Sequence, residues 1–468
     1  MLELSSKLKE IEPTPDAPFV NDKMGRAPLA NTLKSIVESY EDGSCVLSIN
    51  GEWGTGKTTF VKMWQAYMER MNYRTIYFNA WETDYISEPL VALLGELNPV
   101  IKNNEKFNKI CAAISRILLN TSIAALEACL KQTTSISSET LQGAISETKD
   151  ILQENIKEYT KQKVAITNFK KMLSEYVANV PEEKRVPLIF IIDELDRCNP
   201  HYAVKVLERI KHLFDIPNIF FVLPICKSQL ECSIQGFYGS DKIDAANYLR
   251  RFINLEFELP FPDCKDFYDH LYEHYKFEQF FEETKTDRSK QDNIALFKDG
   301  VKRLFDKTKI DFRSMERLFV HSRTVAQTLR GNYASEMDVI FLLCYLKLLH
   351  FDIYKNIREH TYTLQDLIDV IEGIFPATLM HPQIDNIDSH GFTYSVASLL
   401  LAYNQNQIEE YEKGVLPDSM ETELKLECKV LSKDVLRRAL INSQAEAYSR
   451  WASIKTITDK IDLLEYLK

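Results

Sequence analysis

Glycine, lysine and threonine fall together in one short stretch in the pattern that a polyphosphate requires: Gly51-Glu52-Trp53-Gly54-Thr55-Gly56-Lys57-Thr58-Thr59. The glycines permit backbone angles and a close approach that a Cβ forbids, so successive N–H groups can converge on a phosphate. Lys57 can then reach the β and γ oxygens, and the Thr58 hydroxyl can ligate Mg²⁺. Such a loop works only between a strand and a helix whose N-terminus adds its partial positive charge. The apolar run Cys45–Ile49 before it and the amphipathic Phe60–Met68 after it meet that demand.

A second set of residues supplies the other half of a nucleotide site. Val186-Pro-Leu-Ile-Phe-Ile-Ile-Asp193-Glu194-Leu-Asp-Arg197 reads as a central strand buried on both faces and ending in carboxylates. Buried unpaired charge is strongly disfavoured, so a cation is expected there. Asp193 is placed to hold Mg²⁺ directly or through water, and Glu194 to polarise the attacking water.

Further strands are expected at Arg74–Ala80 and at Asn218–Ile225, whose Pro224 should end its ladder, and a short last one before Pro260. The fold class is therefore α/β, a parallel sheet of about five strands of the additional-strand type. Glu82 and Asp84, at a strand's carboxyl end, can order water or the metal's shell, or can be surface loop residues. Met24, Gly25 and Arg26 enter a helix at Leu29–Tyr40 and are either contacts to the base or only a helix entry. Lys227 is a candidate γ-phosphate sensor or a solvated helix start. Arg250 and Arg251 can reach a nucleotide held by a neighbouring subunit or form a structural ion pair.

The domain reading assigns 1–22 to an N-terminal arm, 23–85 and 178–262 to the nucleotide core, and 86–177 to a helical insertion. Residues 263–375 form a helical lid domain and 376–468 a C-terminal helical region, of which 376–420 reads as turn-rich. In the insertion, Cys111–Leu130 is the most apolar stretch, but Arg116, Asn120 and Glu127 argue against a membrane span. From Glu139 to Val177, apolar residues recur near every seventh position, as in a helical hairpin. The lid contributes Arg313, on a helix over 309–320, as the arginine that points back to the phosphates, and Val339–Phe351 reads as a buried helix.

Composition bounds the rest. The chain has 468 residues, a net charge of −11 and a pI near 5.5, which gives no general support for nucleic-acid binding. Nine scattered cysteines, never in a C-x-x-C pair, suit a reducing compartment. With an N-terminal stretch, Met1–Glu10, that carries acidic residues and lacks an apolar core, they make a cytoplasmic location the expectation.

The motifs Gly51–Thr59, Phe78-Asn-Ala-Trp-Glu82, Ile191-Ile-Asp-Glu-Leu-Asp-Arg-Cys198 and Tyr248-Leu-Arg-Arg-Phe252 together resemble those of KAP-family P-loop NTPases. The resemblance covers about residues 20–330 and implies an ATP- and Mg²⁺-dependent hydrolase. Many members carry transmembrane helices in the segment between the two nucleotide motifs; its character here suggests a soluble, bacterial-type member. The family commonly has paired aspartates where Asp193-Glu194 stands, and Asp-Arg where Cys226-Lys227 stands. Bacterial members include antiphage defence proteins, and animal members include signalling scaffolds. The expectation is therefore an ATPase whose binding and hydrolysis of ATP switch or assemble a complex, with self-association and a protein partner. The alternative is a nucleotide-gated scaffold with negligible turnover.

Overall fold

The computed structural model describes residues 12–100, 164–178, 185–261, 265–283, 290–308, 310–329, 336–380, 390–404, 415–447 and 453–463, apart from positions 21, 41–43, 87, 165, 418, 420 and 421. The Cys111–Leu130 stretch and the first part of the expected hairpin, from Glu139 on, lie outside the described residues. The chain divides into two compact units at Pro260 and Phe261.

The first unit is built on β1 (Cys45–Asn50), β2 (Tyr73–Asn79), β3 (Arg185–Asp193), β4 (Ile219–Ile225) and β5 (Leu255–Glu258). All the pairings are parallel and the order is β2-β3-β4-β1-β5. Strand β4 thus stands between the strand that feeds the glycine-rich loop and the strand that ends in carboxylates, which is the additional-strand arrangement. The unbroken apolar run of β3 follows from burial on both faces. Leu188, Phe190 and Ile192 face one cluster, with α3 (Pro89–Val100), the helical residues 166–178 and the helix Pro200–Leu213; Ile189 and Ile191 face the other, with α1 (Ala27–Ser39) and α2 (Lys57–Arg70). Phe169, Leu173 and Val177 of the expected hairpin lie in the first cluster.

One expectation is corrected on the strand that Pro224 was to end. β4 continues through Pro224 to Ile225, paired with Asn50 of β1, and the Ile225 carbonyl accepts from the Gly51 N–H at 3.1 Å. Successive residues of a parallel strand bond to opposite neighbours, so Pro224 presents its missing N–H to β3. On that side the pairing stops at Val222, and nothing is lost.

The second unit, as described, is helical. Its core is aromatic, with Phe277, Phe297, Phe305, Phe319 and Phe341 in mutual ring contact. Met337–Leu349 is buried nearly all round, as expected. Among the described residues, the turn-rich reading of 376–420 is corrected over 391–404, a 14-residue helix, Gly391–Asn404, almost wholly buried. It packs so closely on the helix Lys290–Thr308 that a Cβ on Gly391 would stand 2.6 Å from the backbone nitrogen of Gly300. Among the described residues, no helix is long and apolar enough to cross a membrane.

Candidate functional site

The loop after β1 turns through left-handed backbone at Gly54 and Gly56, with φ of 80° and 77°. Its end is the start of α2, where no side chain caps the first-turn N–H groups. By contrast, the helices at Pro200 and Phe312 are capped by Asn199 and Asp311. Uncapped N–H groups at a helix start are donors for an anion. Lys57 is buried with them, and its Nζ donates to the carbonyls of Gly51 and Glu52 at 2.6 and 3.0 Å. Burial holds its ammonium below the ordinary lysine value, partly offset by Asp196 and Asp193.

Parallel strands bring the second motif to the same edge. Asp193 is 1% exposed and gathers three donors: the Tyr77 hydroxyl at 2.8 Å, the Glu194 N–H at 2.9 Å, and the Thr58 hydroxyl. Burial raises its carboxyl above the usual range against those hydrogen bonds. Glu194 has left-handed backbone, φ 60°, which swings its side chain out of the strand direction. Burial raises its carboxyl also, with Arg197 opposing; the Arg197 guanidinium lies 2.6 Å from Oε1.

Several residues to which the sequence reading gave no role of their own hold this edge together. Asp196 is buried and its Oδ2 accepts both the Trp53 indole N–H at 2.7 Å and the Cys226 N–H at 2.9 Å, tying three loops together. Asn79, opposite Asp193 in the register, donates to Glu82 at 2.9 Å and lies 3.4 Å from Glu194 Oε2. Tyr77 and Asn79 alternate with the core residues Ile76 and Phe78 of β2, and Asp196 follows Glu194 by two. The signal available in the sequence was therefore polar residues at the out-of-phase positions of a buried strand and its exit.

Of the other expected site residues, Asp84 and Lys227 are turned elsewhere. Asp84 accepts the Asn199 N–H at 3.1 Å and so fastens the loop after β2 to the helix Pro200–Leu213. Lys227 donates its backbone N–H to Asn50 and pairs its Nζ with Glu256 at 2.7 Å. Met24 and Arg26 lie against Gly56 rather than in open solvent, and Gly25 holds φ of 60° between them. Thr55 is buried, its hydroxyl bonded to the Glu52 carbonyl at 2.7 Å; Thr59 is half-buried in the first turn of α2.

Arg250 and Arg251 are exposed and follow the short helix Ala245–Leu249 at the opposite edge of the sheet. There the Asn254 N–H donates to Val46, near the start of β1. A strand length, about 16 Å, therefore separates them from the loop of their own chain. Arg313 stands in the first turn of the helix Phe312–Thr328, in the second unit.

Comparison with known proteins follows the same lines. The chain is 21% identical over 257 residues to the phage T7 exclusion protein of Escherichia coli (strain K12), a match that covers 52% of this chain and 34% of that protein. Among solved structures, it overlaps the ORC2 protein of Aeropyrum pernix in its ADPNP–ADP complexes at a TM-score of 0.29 and 13% identity, covering 91% of this chain and 95% of that one. Drosophila ORC bound to poly(dA/dT) DNA and Cdc6 overlaps it at a TM-score of 0.30 and 13% identity, covering 96% and 66%. Overlaps this loose carry no conclusion, and the strand order stands on its own. The family model for the KAP family P-loop domain matches residues 26–329, and the chain therefore belongs to that family of nucleotide-binding proteins.

Proposed function

We propose that the chain is a Mg²⁺-dependent ATPase whose binding and hydrolysis of ATP switch or assemble a larger complex. The observation that supports this most is the meeting of Thr58, in the first turn of the uncapped helix that follows β1, with Asp193 and Glu194 at the end of β3, a strand not adjacent to β1. In this reading the N–H groups of Gly54 to Thr59 hold the phosphates. Lys57 exchanges its two loop carbonyls for β and γ oxygens, and Gly51, Glu52 and Trp53 shape the turn. The hydroxyl of Thr58 and the carboxylate of Asp193 are hard oxygen donors that fit Mg²⁺, which when bound neutralises charge on the phosphate oxygens. Glu194 takes the proton of the attacking water, for which it must leave Arg197. Met24 and Gly25 border the base, and the preference for ATP over GTP follows the family.

Arg250 and Arg251 act in trans, since their own loop is a strand length away, and Arg313 is the lid's contribution. Self-association through one sheet edge against another follows from that assignment, and a protein partner on the helical regions is a separate part of the proposal. The relative's name suggests the setting, exclusion of bacteriophage; the scattered cysteines suit a cytoplasmic location. The test is ATP hydrolysis by the full chain with Mg²⁺ and with EDTA. Turnover that requires Mg²⁺ and is lost in Lys57→Ala supports the reading; turnover that persists in Lys57→Ala sinks it.

A second reading has an observation of its own. Glu194 is held by Arg197 at 2.6 Å, as in a protein that binds nucleotide and turns it over negligibly. Such a gated scaffold keeps its protection against phage in Glu194→Gln, measured as plating efficiency, whereas the ATPase loses it.

A further inference from the structure

Arg26 is buried to 1% exposure, yet it forms no ion pair with a carboxylate among the described residues. Its guanidinium instead forks onto two carbonyls of the phosphate loop: Nη2 donates to Thr55 at 2.7 Å and Nη1 to Gly56 at 3.0 Å. The ring of Phe60, in the first turn of α2, lies 5.9 Å from the guanidinium carbon. Asp22 is occupied in holding the helix entry, its carboxylate accepting from the N–H groups of Met24 at 3.3 Å and Ala27 at 2.9 Å.

The consequence is geometric. A trans peptide sets the C=O of one residue antiparallel to the N–H of the next. Fixing the Thr55 carbonyl therefore fixes the Gly56 N–H in the opposite direction, and fixing the Gly56 carbonyl does the same for the Lys57 N–H. Those two amides belong to the cradle and to the helix start. We infer that Arg26 is a positioning residue for the phosphates and not a contact to the base: it locks two amide donors of the loop toward the polyphosphate and leaves its own charge to be offset by that anion. Gly56 is needed for the same reason, since a Cβ there would stand 3.3 Å from Arg26 Nη1 and 3.4 Å from the Met24 methyl. Burial without a counter-ion lowers the guanidinium to about 10, Asp22 opposing. The empty protein therefore holds a costly charge that bound phosphate relieves.

The inference rests on the nucleotide-site reading, and the experiment separates the two. Binding of MgATP and of Mg-tripolyphosphate, which has no base, is measured by calorimetry on the full chain and its Arg26→Met and Arg26→Lys variants, with melting temperatures of the empty proteins. The expected result is a loss of about tenfold or more for both ligands in Arg26→Met. Its empty protein should melt no lower than wild type. Lysine keeps the charge but cannot fork, so Arg26→Lys should also lose affinity for both ligands, which guards against a folding failure in the methionine variant. A loss confined to ATP, with tripolyphosphate bound as by wild type, makes Arg26 a base contact and overturns the inference alone. No binding of either ligand by the wild-type chain overturns the nucleotide-site reading and the inference with it.

Discussion

Both units bury charge, and two of the buried groups, the phosphate loop of one and Glu372 of the other, serve different ends. In the sheet unit Arg26, Lys57, Asp193 and Asp196 crowd one loop, and the two cations donate their hydrogen bonds to backbone carbonyls. In the helical unit the buried Glu372 is fully answered: its carboxylate accepts the N–H groups of Lys429 at 2.9 Å, Val430 at 2.9 Å and Leu431 at 2.8 Å. That clamp closes the segment 427–431 onto the helix Leu364–Ile374, aided by Gln365 and Asp369. Charge answered by the chain itself serves stability, whereas charge left to backbone dipoles beside open N–H donors is suited to a ligand.

Substitution should separate the two kinds. Lys57→Ala should lower ATP turnover by about 100-fold or more while leaving the melting temperature near wild type, because the ammonium's burial contributes little to the empty fold. Glu372→Ala should do the reverse: it orphans three amides, of which that of Leu431 is buried, and should lose about 3 kcal/mol in urea unfolding of the full chain. Turnover per folded molecule should be unchanged. Equal effects of the two on stability would erase the distinction.

A smaller contrast lies within the sheet unit. Glu88 and Arg209 form a two-pronged ion pair at 2.8 and 3.0 Å that fastens the start of α3 to the helix Pro200–Leu213. Burial pushes the Glu88 carboxyl up, but the Arg209 hydrogen bonds and charge outweigh it, and the net value is lowered. The folded form therefore binds its proton later than the unfolded chain. The stabilisation is present above the ordinary glutamate value of 4.5 and is lost as pH falls through the lower folded value. Arg209→Ala should lose about 2 kcal/mol at pH 7 and show less acid sensitivity than wild type, measured by urea unfolding at each pH. The smallest structural effect belongs to Arg250→Ala and Arg251→Ala, at exposed sites, where stability should move by less than about 0.5 kcal/mol. If they act in trans, turnover that rises more than linearly with protein concentration should become linear in those variants.

The sheet unit was the more legible of the two for a physical reason. Its strands are buried on both faces and announce themselves as apolar runs, and its loop chemistry needs particular residues at fixed spacing. What the runs concealed was the polar alternation. Tyr77 and Asn79 sit within β2, and their contacts to Asp193 and Glu194 depend on which strand stands beside which. Arg26 was visible as part of a helix entry, but its turn onto the loop carbonyls is a tertiary fact. In the helical unit, Gly391–Asn404 escaped because a helix buried all round shows no amphipathic period, and the glycine at its start reads locally as a breaker. It is the close approach to Gly300 that requires that glycine.

The most direct test of the central claim is steady-state ATP hydrolysis by the full chain beside its Glu194→Gln variant, with Mg²⁺ and with nucleotide binding measured on both. The account predicts that the variant binds ATP as tightly as wild type while its turnover falls by about 100-fold or more. Turnover that is the same in both proteins would contradict it, as would a wild type that binds ATP and hydrolyses none.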